Sequence, residues 1–356
     1  MRRLASTVLL ATLSFASSGC FTAGYLAQAA HGEWELLHGA RPLREVVESR
    51  DTPAHVRELL ARVDGIKAWG QGQGLKPTRN YDRYVDLHRP VAVWVVQACA
   101  PLSFDVQRWS FPLVGSVPYL GFFDEPAARR FADSPATTDL DVDVRTASAY
   151  STLGWFRDPV LSTMLGTGDE ALGDLVDVVL NESVHATLYV PGQSAFDESL
   201  ASFVSERLTK AWLIEHRGED AKETKAWLAS EAWHQERVAR LHQTWVALDA
   251  LYHSHESDDA KRAGKAHILG VTRVELKLKR PLNNAALAGY ETYGTGRAAF
   301  ERLFASCGSW PAMFRALASL SPTDFATPQQ EAFDDVLDGL VLRGCRETRV
   351  TDPRRR

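Results

Sequence analysis

Residues 174–207 read DLVDVVLNESVHATLYVPGQSAFDESLASFVSER, and they decide the architecture because four polar side chains sit inside an otherwise apolar helical run. Leu172, Leu175, Val176, Val179 and Leu180 recur at helical spacing, with Val178 and Val184 on the remaining sides. A helix apolar nearly all round is a buried one. Asn181, Glu182, Ser183 and His185 interrupt it. A buried carboxylate and imidazole are costly unless paired, hydrogen-bonded or bound to a metal, so the interruption asks for a function. Pro191 and Gly192 end the helix, and Ser194 with Asp197 three residues on predicts a capped start for a second one. The chain therefore folds back as a helical hairpin. Ser199, Ala201, Ser202 and Ser205 are small enough for the second arm to approach closely, and Glu198, one turn in, is able to face His185.

The layout is close to that of a zincin metal site. In H-E-x-x-H two histidines on one helix face bind zinc, the glutamate between them activates water, and a third ligand comes later. Here residues 181–185 read N-E-S-V-H. Asn181 stands at the first ligand position, Glu182 at the general-base position, His185 at the second ligand position, and Glu198 is the candidate third ligand. An amide oxygen is a neutral, hard and rare zinc ligand, so the expectation is a weak site, a harder metal, or a histidine recruited from elsewhere.

The hairpin, together with AYSTLGWFRDPVLSTML at 149–165, resembles a bacterial family of predicted aminopeptidases, zinc lipoproteins of the Glu-zincin type with the motif H-E-L-A-H followed by N-E-S-F-A. GYLAQAAHGEWELL after Cys20, YVDLHRPVAVWVV from Tyr84, RWSFPLVGSVPYLGFFDE from Arg108 and NNAALAGYETY from Asn283 also fit, so the likeness spans most of the chain. It departs at Asn181 and at Leu120, where the family pattern has arginine. The resemblance implies an α+β, predominantly helical, zincin-like fold: a small antiparallel sheet beside a buried metal-site helix, then a helical C-terminal part. It implies one domain from 20 to 356, mixed to about 206 and helical from about 207. Zinc and a peptide substrate are implied with it. Ser151, Thr152, Leu153, Gly154 and Trp155 would form the sheet edge holding the peptide backbone, and Tyr290 and Tyr293 are phenols able to stabilise an oxyanion. An ordinary core strand around Trp155 and packing roles for the two tyrosines stay open beside those readings.

Met1 to Gly19 has a basic start, an apolar stretch and small residues before Cys20, which predicts a secretory leader rather than a spanning helix. Ser17-Ser18-Gly19-Cys20 resembles a lipobox, so Cys20 is the candidate lipidation site and membrane anchor. Phe21 after it points to an outer-membrane lipoprotein on the periplasmic face. An apolar fraction of 45% with 24% charged residues is that of an ordinary globular protein. The formal charge of −5 grows more negative once Arg2 and Arg3 leave with the leader, which argues against a nucleic-acid partner. Three cysteines remain. Cys307 and Cys345 flank helical segments and are the preferred disulfide, while Cys99 in VAVWVVQACAP reads as a buried small hydrophobe.

Elsewhere, Trp34 to Val63 predicts two helices broken at Arg41-Pro42 and Asp51-Thr52-Pro53, and VAVWVV predicts a buried strand. Aromatic and glycine-rich Ser110 to Glu125 reads as a loop. Asp139 to Val144 reads as a strand with a solvated acidic face, and Ser148 to Phe156 as the next, antiparallel strand. Lys210 to Ser254 predicts long helices turning at Glu215 to Asp220, with His234 and His242 on a solvated face. Two functions compete: a metal-dependent aminopeptidase-like hydrolase of the cell envelope, and a catalytically degenerate lipoprotein that keeps the cleft to bind peptides or envelope partners.

Overall fold

The computed structural model describes residues 2–111, 115–149, 157–290, 296–330 and 332–345. In chain order the N-terminal part runs α1 (Arg2–Gly39), β1 (Arg41–Pro42), α2 (Leu43–Glu48), α3 (Ala54–Leu60), α4 (Val63–Gly72), β2 (Arg83–Val85), β3 (Val93–Cys99), β4 (Trp109–Phe111), β5 (Gly115–Val117), β6 (Leu120–Phe122), α5 (Glu125–Ala132), β7 (Asp141–Ala147) and β8 (Val160–Leu161). The hairpin follows as α6 (Ala171–Thr187) and α7 (Ser194–Arg217). After it come α8 (Lys222–Tyr252), α9 (Asp258–Glu275), α10 (Asn284–Leu287), α11 (Arg297–Cys307), α12 (Trp310–Leu317) and α13 (Asp334–Arg343). The protein is thus α+β and dominated by helices.

The strands form three small sheets among the described residues. One has the order β6-β3-β7 and is antiparallel throughout, with Val96 opposite both Leu120 and Val144. A second joins β1, β2 and β8, with β2 and β8 parallel. The third is the β4–β5 hairpin. The largest core cluster surrounds α6 and α7: Leu175, Val176, Val179, Leu180, Leu200 and Val204 are all fully buried there. The antiparallel sheet has its own cluster with α5, built on Val96, Leu120, Phe122 and Phe131.

The apolar faces of α6 are taken by α4, α7 and α8, while β3, buried along most of its length, is covered by α5 and α10. Leu120, fully buried in β6, is a core strand residue. Among its described residues, Ser110 to Glu125 holds the end of β4, then β5, β6 and the start of α5, rather than a loop; the alternation of Trp109 with Phe111, and of Leu120 with Phe122, puts each pair on one buried face. The acidic face of β7 is not solvated. Asp141 binds Lys265 at 2.5 Å and the backbone of Asn284, and buried Asp143 pairs with Arg280, because α9 and α10 close over that face. His242 is likewise tied down, through Nδ1 to the Tyr290 carbonyl at 2.8 Å.

The disulfide Cys307–Cys345 is present, with Cα atoms 4.9 Å apart, and ties the end of α11 to the segment after α13. Cys99 is buried and free; burial pushes its thiol up to about 12. Among the described residues no helix is long and apolar enough to cross a membrane.

Candidate functional site

The hairpin turns where the sequence predicts. Gly192 adopts φ 79°, a left-handed conformation that an L side chain resists. The predicted cap does not form: Gln193, not Ser194, is the N-cap of α7 and makes no side-chain cap bond. Asp197 turns back instead, its Oδ1 accepting from the Val190 backbone N–H at 3.0 Å across the turn. Buried Gln193 locks the tip to the C-terminal part, donating from Nε2 to the Thr327 carbonyl at 2.8 Å and accepting at Oε1 from the Gln330 N–H at 2.9 Å.

That geometry brings His185 and Glu198 together, with Nε2 3.7 Å from the carboxylate Oε2. Glu198 lies on the near side of its helix although its side chain is 64% exposed. Both residues, with Glu182, Ala186 and Asp197, line a cleft of about 870 Å³. Burial pushes the Glu182 carboxyl up to about 7; His185 opposes the rise, and Asp158 and Glu198 add to it. Burial pulls the His185 imidazole down, yet its bond and charge pairing with Glu198, helped by Glu182 and Asp197, outweigh that and leave it raised. Asp197 is pushed up to about 6, first by burial. Its second oxygen is buried and has no hydrogen-bond partner among the described residues.

Asn181 stands apart. One residue before Glu182 and one turn before His185 on α6, it lines an adjoining cavity of about 350 Å³ with Asp177, Glu198 and His234. Among the described residues, only Glu198 borders both spaces. Ser183 is spent inside the helix, donating to the Val179 carbonyl at 2.7 Å. Tyr290 is not brought to the cleft; it packs with the cluster under α8 and α9 and lines a third cavity. Tyr293 and the segment Ser151, Thr152, Leu153, Gly154 and Trp155 lie outside the described residues.

Several residues that sequence reasoning missed border the same space. Arg79, Asn80 and Arg157 line the cleft, as do Tyr119 and Tyr189. Tyr81 is buried, with its phenol raised well above the usual range by burial, by Glu182 and by Asp158. Its backbone N–H donates to the Asp158 carbonyl at 2.7 Å. Nothing in the spacing of Asn80 and Tyr81 marks them; Asn80 reaches the cleft from a loop in which Tyr81 adopts φ 62°. Arg157 and Asp158 follow Trp155 and Phe156 directly and were legible only as part of the family-like stretch.

The donor chemistry sets a test for zinc. His185 and Glu198 supply two ligands, Asn181 offers only a neutral amide, and among the described residues no group of three His, Cys, Asp or Glu side chains is arranged to hold a metal ion. The three-ligand set of a catalytic zinc site does not fit these residues. What the cleft does hold is a carboxyl that ionises near neutrality beside an imidazole favoured in its protonated form.

A family model described as "Putative aminopeptidase" matches residues 24–331. No curated protein and no solved structure matches the chain.

Proposed function

We propose that this chain, which belongs to the putative aminopeptidase family, is a hydrolase that takes the free N-terminal end of peptides into the Glu182 cleft. The observation that carries this reading is the pairing of Glu182 with His185. Two titratable groups on adjacent turns have environments that divide the roles of base and acid between them. Glu182, half ionised near pH 7, takes a proton from water; His185, kept protonated by Glu198, donates one to the leaving amine. Asp197, with an unused carboxylate oxygen, and Glu198 supply negative charge for a peptide ammonium, while Arg79 and Arg157 supply positive charge for the developing oxyanion. The zincin-like motif with zinc as cofactor would reduce here to two protein donors, His185 and Glu198, so a metal would be held weakly.

A second reading, peptide binding without turnover, is favoured by one observation: a neutral amide stands at position 181, one turn before His185, and leaves a His, His and Glu set incomplete. Both readings place the protein at the cell envelope, anchored through lipidated Cys20 on the periplasmic face. The test is a panel of short peptides, with free and acetylated N-termini, incubated with the natural protein and with Glu182→Gln, with and without added zinc. Hydrolysis of free-amine peptides that disappears in Glu182→Gln supports the hydrolase. Saturable binding with no turnover under any condition supports the second reading, and neither binding nor turnover overturns both. Release of Cys20→Ala from membranes is expected; unchanged partition would rule out the anchor.

A further inference from the structure

A cavity of about 530 Å³ between β7, α8 and the segment after α9 is lined by five cations: Arg145, Arg237, Lys277, Lys279 and Arg280. Asp143 is the carboxylate among its lining residues, and it is already paired with Arg280. Arg237, Lys277 and Lys279 make no ion pair among those found in the described residues. So much unneutralised positive charge is unexpected in a chain whose formal charge is −5. Confined to one concave site, it attracts anions more strongly than the same charges spread over a convex surface.

A second, independent feature points to the same place. Helix α9 ends in a Schellman closure: the Leu278 N–H bonds the Arg273 carbonyl at 2.9 Å and the Lys277 N–H bonds the Val274 carbonyl at 3.1 Å. The left-handed residue that this closure needs, at φ 52°, is Lys277. Glycine is the usual occupant of that position, because a side chain there is strained. Here the position carries a cation, and the cation lines the cavity. Strain retained where a relaxed residue would serve the fold better is a mark of use. The closure also caps carbonyls at the negative end of α9, which would otherwise repel an anion.

We propose that this cavity binds a multiply charged anion of the phosphate class, held by the forks of Arg145 and Arg237 and by the point charges of Lys277 and Lys279. Two arginines with planar donor forks and two flexible ammonium groups suit a compact, multiply charged oxyanion. Trp233, 58% exposed and with Arg237 stacked 5.4 Å from its ring centre, forms an apolar rim able to cover the organic part of such a ligand. The same chemistry is offered by a soluble phosphate compound and by a phospholipid headgroup. The site is independent of the peptidase reading.

The test is calorimetric titration of the purified full chain with pyrophosphate, together with co-sedimentation on phosphatidylcholine vesicles with and without phosphatidylglycerol. The natural protein should bind at low salt and lose affinity steeply as salt rises. Arg237→Ala combined with Lys279→Ala should weaken binding by about tenfold or more. Lys277→Gly carries the sharper discrimination: it should weaken binding while leaving Tm unchanged or higher, because it removes a charge and relieves the left-handed strain together. Binding of pyrophosphate alone would assign a soluble ligand, and binding of anionic vesicles through the same residues a headgroup. The proposal is overturned if the natural protein binds neither probe, if the double variant binds as well as the natural one, or if a glutamate-rich peptide binds while both phosphate probes fail.

Discussion

Glu182, Asp174, Asp177 and Asp197 all hold their protons more tightly in the fold than in water. Glu182 rises from 4.5 to about 7, and the three aspartates rise from 3.8 to about 6. With every folded value above its unfolded one, the native state binds more protons than the unfolded chain between those limits. The stability these groups contribute is therefore full at the acid end and is lost as pH rises through about 6 to 7. His185, also raised, acts in the same direction. We expect Tm to fall between about pH 5 and 7.5, and Glu182→Gln, which cannot ionise, to flatten the part of the slope nearest 7. A Tm that rises over that range would contradict the assignment. Asn181→His tests the damaged-ligand reading at the same scale. An imidazole at i with His185 at i+4, and Glu198 bordering both cavities, would complete a His, His and Glu set. Calorimetric titration should show tighter zinc binding than the natural protein; equal or weaker binding would show that position 181 serves packing alone.

Among elements, the hairpin depends on a partner far along the chain. Gln193 is 2% exposed and satisfies one carbonyl and one N–H of the 327–330 segment. Gln193→Ala strands both groups, at about 1–3 kcal/mol for a buried polar group left unsatisfied. Urea unfolding should show a loss of that size, and peptide binding should weaken because the α6–α7 turn loses its brace. A change within error would mean water replaces the amide. The hairpin itself was legible from 174–207 because burial, breakers and small residues agreed there. Its cap was not, because Asp197 had a competing acceptor role across the turn that only the three-dimensional return of Val190 creates. Ser110 to Glu125 was misread as a loop for a related reason: its aromatic and glycine content masked a short alternating pattern.

At the scale of the whole molecule, the helical dominance and the Cys307–Cys345 bond follow from local periodicity and from cysteine placement, and both were readable in the sequence. The layout of the sheets was not. Parallel β2 and β8 are brought together from strands of two and three residues whose pairing depends on contacts far apart in the chain. The same limit hid the cavities, which are made by elements from distant parts of the sequence. The disulfide spans a sequence separation of 38 residues, and closing a loop of that size is worth ~4 kcal/mol in the chain-entropy view. Reduction should lower Tm, with the C-terminal helices opening first. If Tm is the same with and without reductant, the bond adds nothing that packing of α11 on α13 does not already supply.

The clamp on the hairpin tip also bears on how the protein is born. Gln193 waits for partners 134 and 137 residues further along. A chain emerging from its N-terminus has its base, its imidazole and its turn in hand long before the segment that fastens them. The cleft can take its final shape only after those later residues have appeared, so a half-made chain carries the parts of a peptide-handling site without the brace that holds them in register.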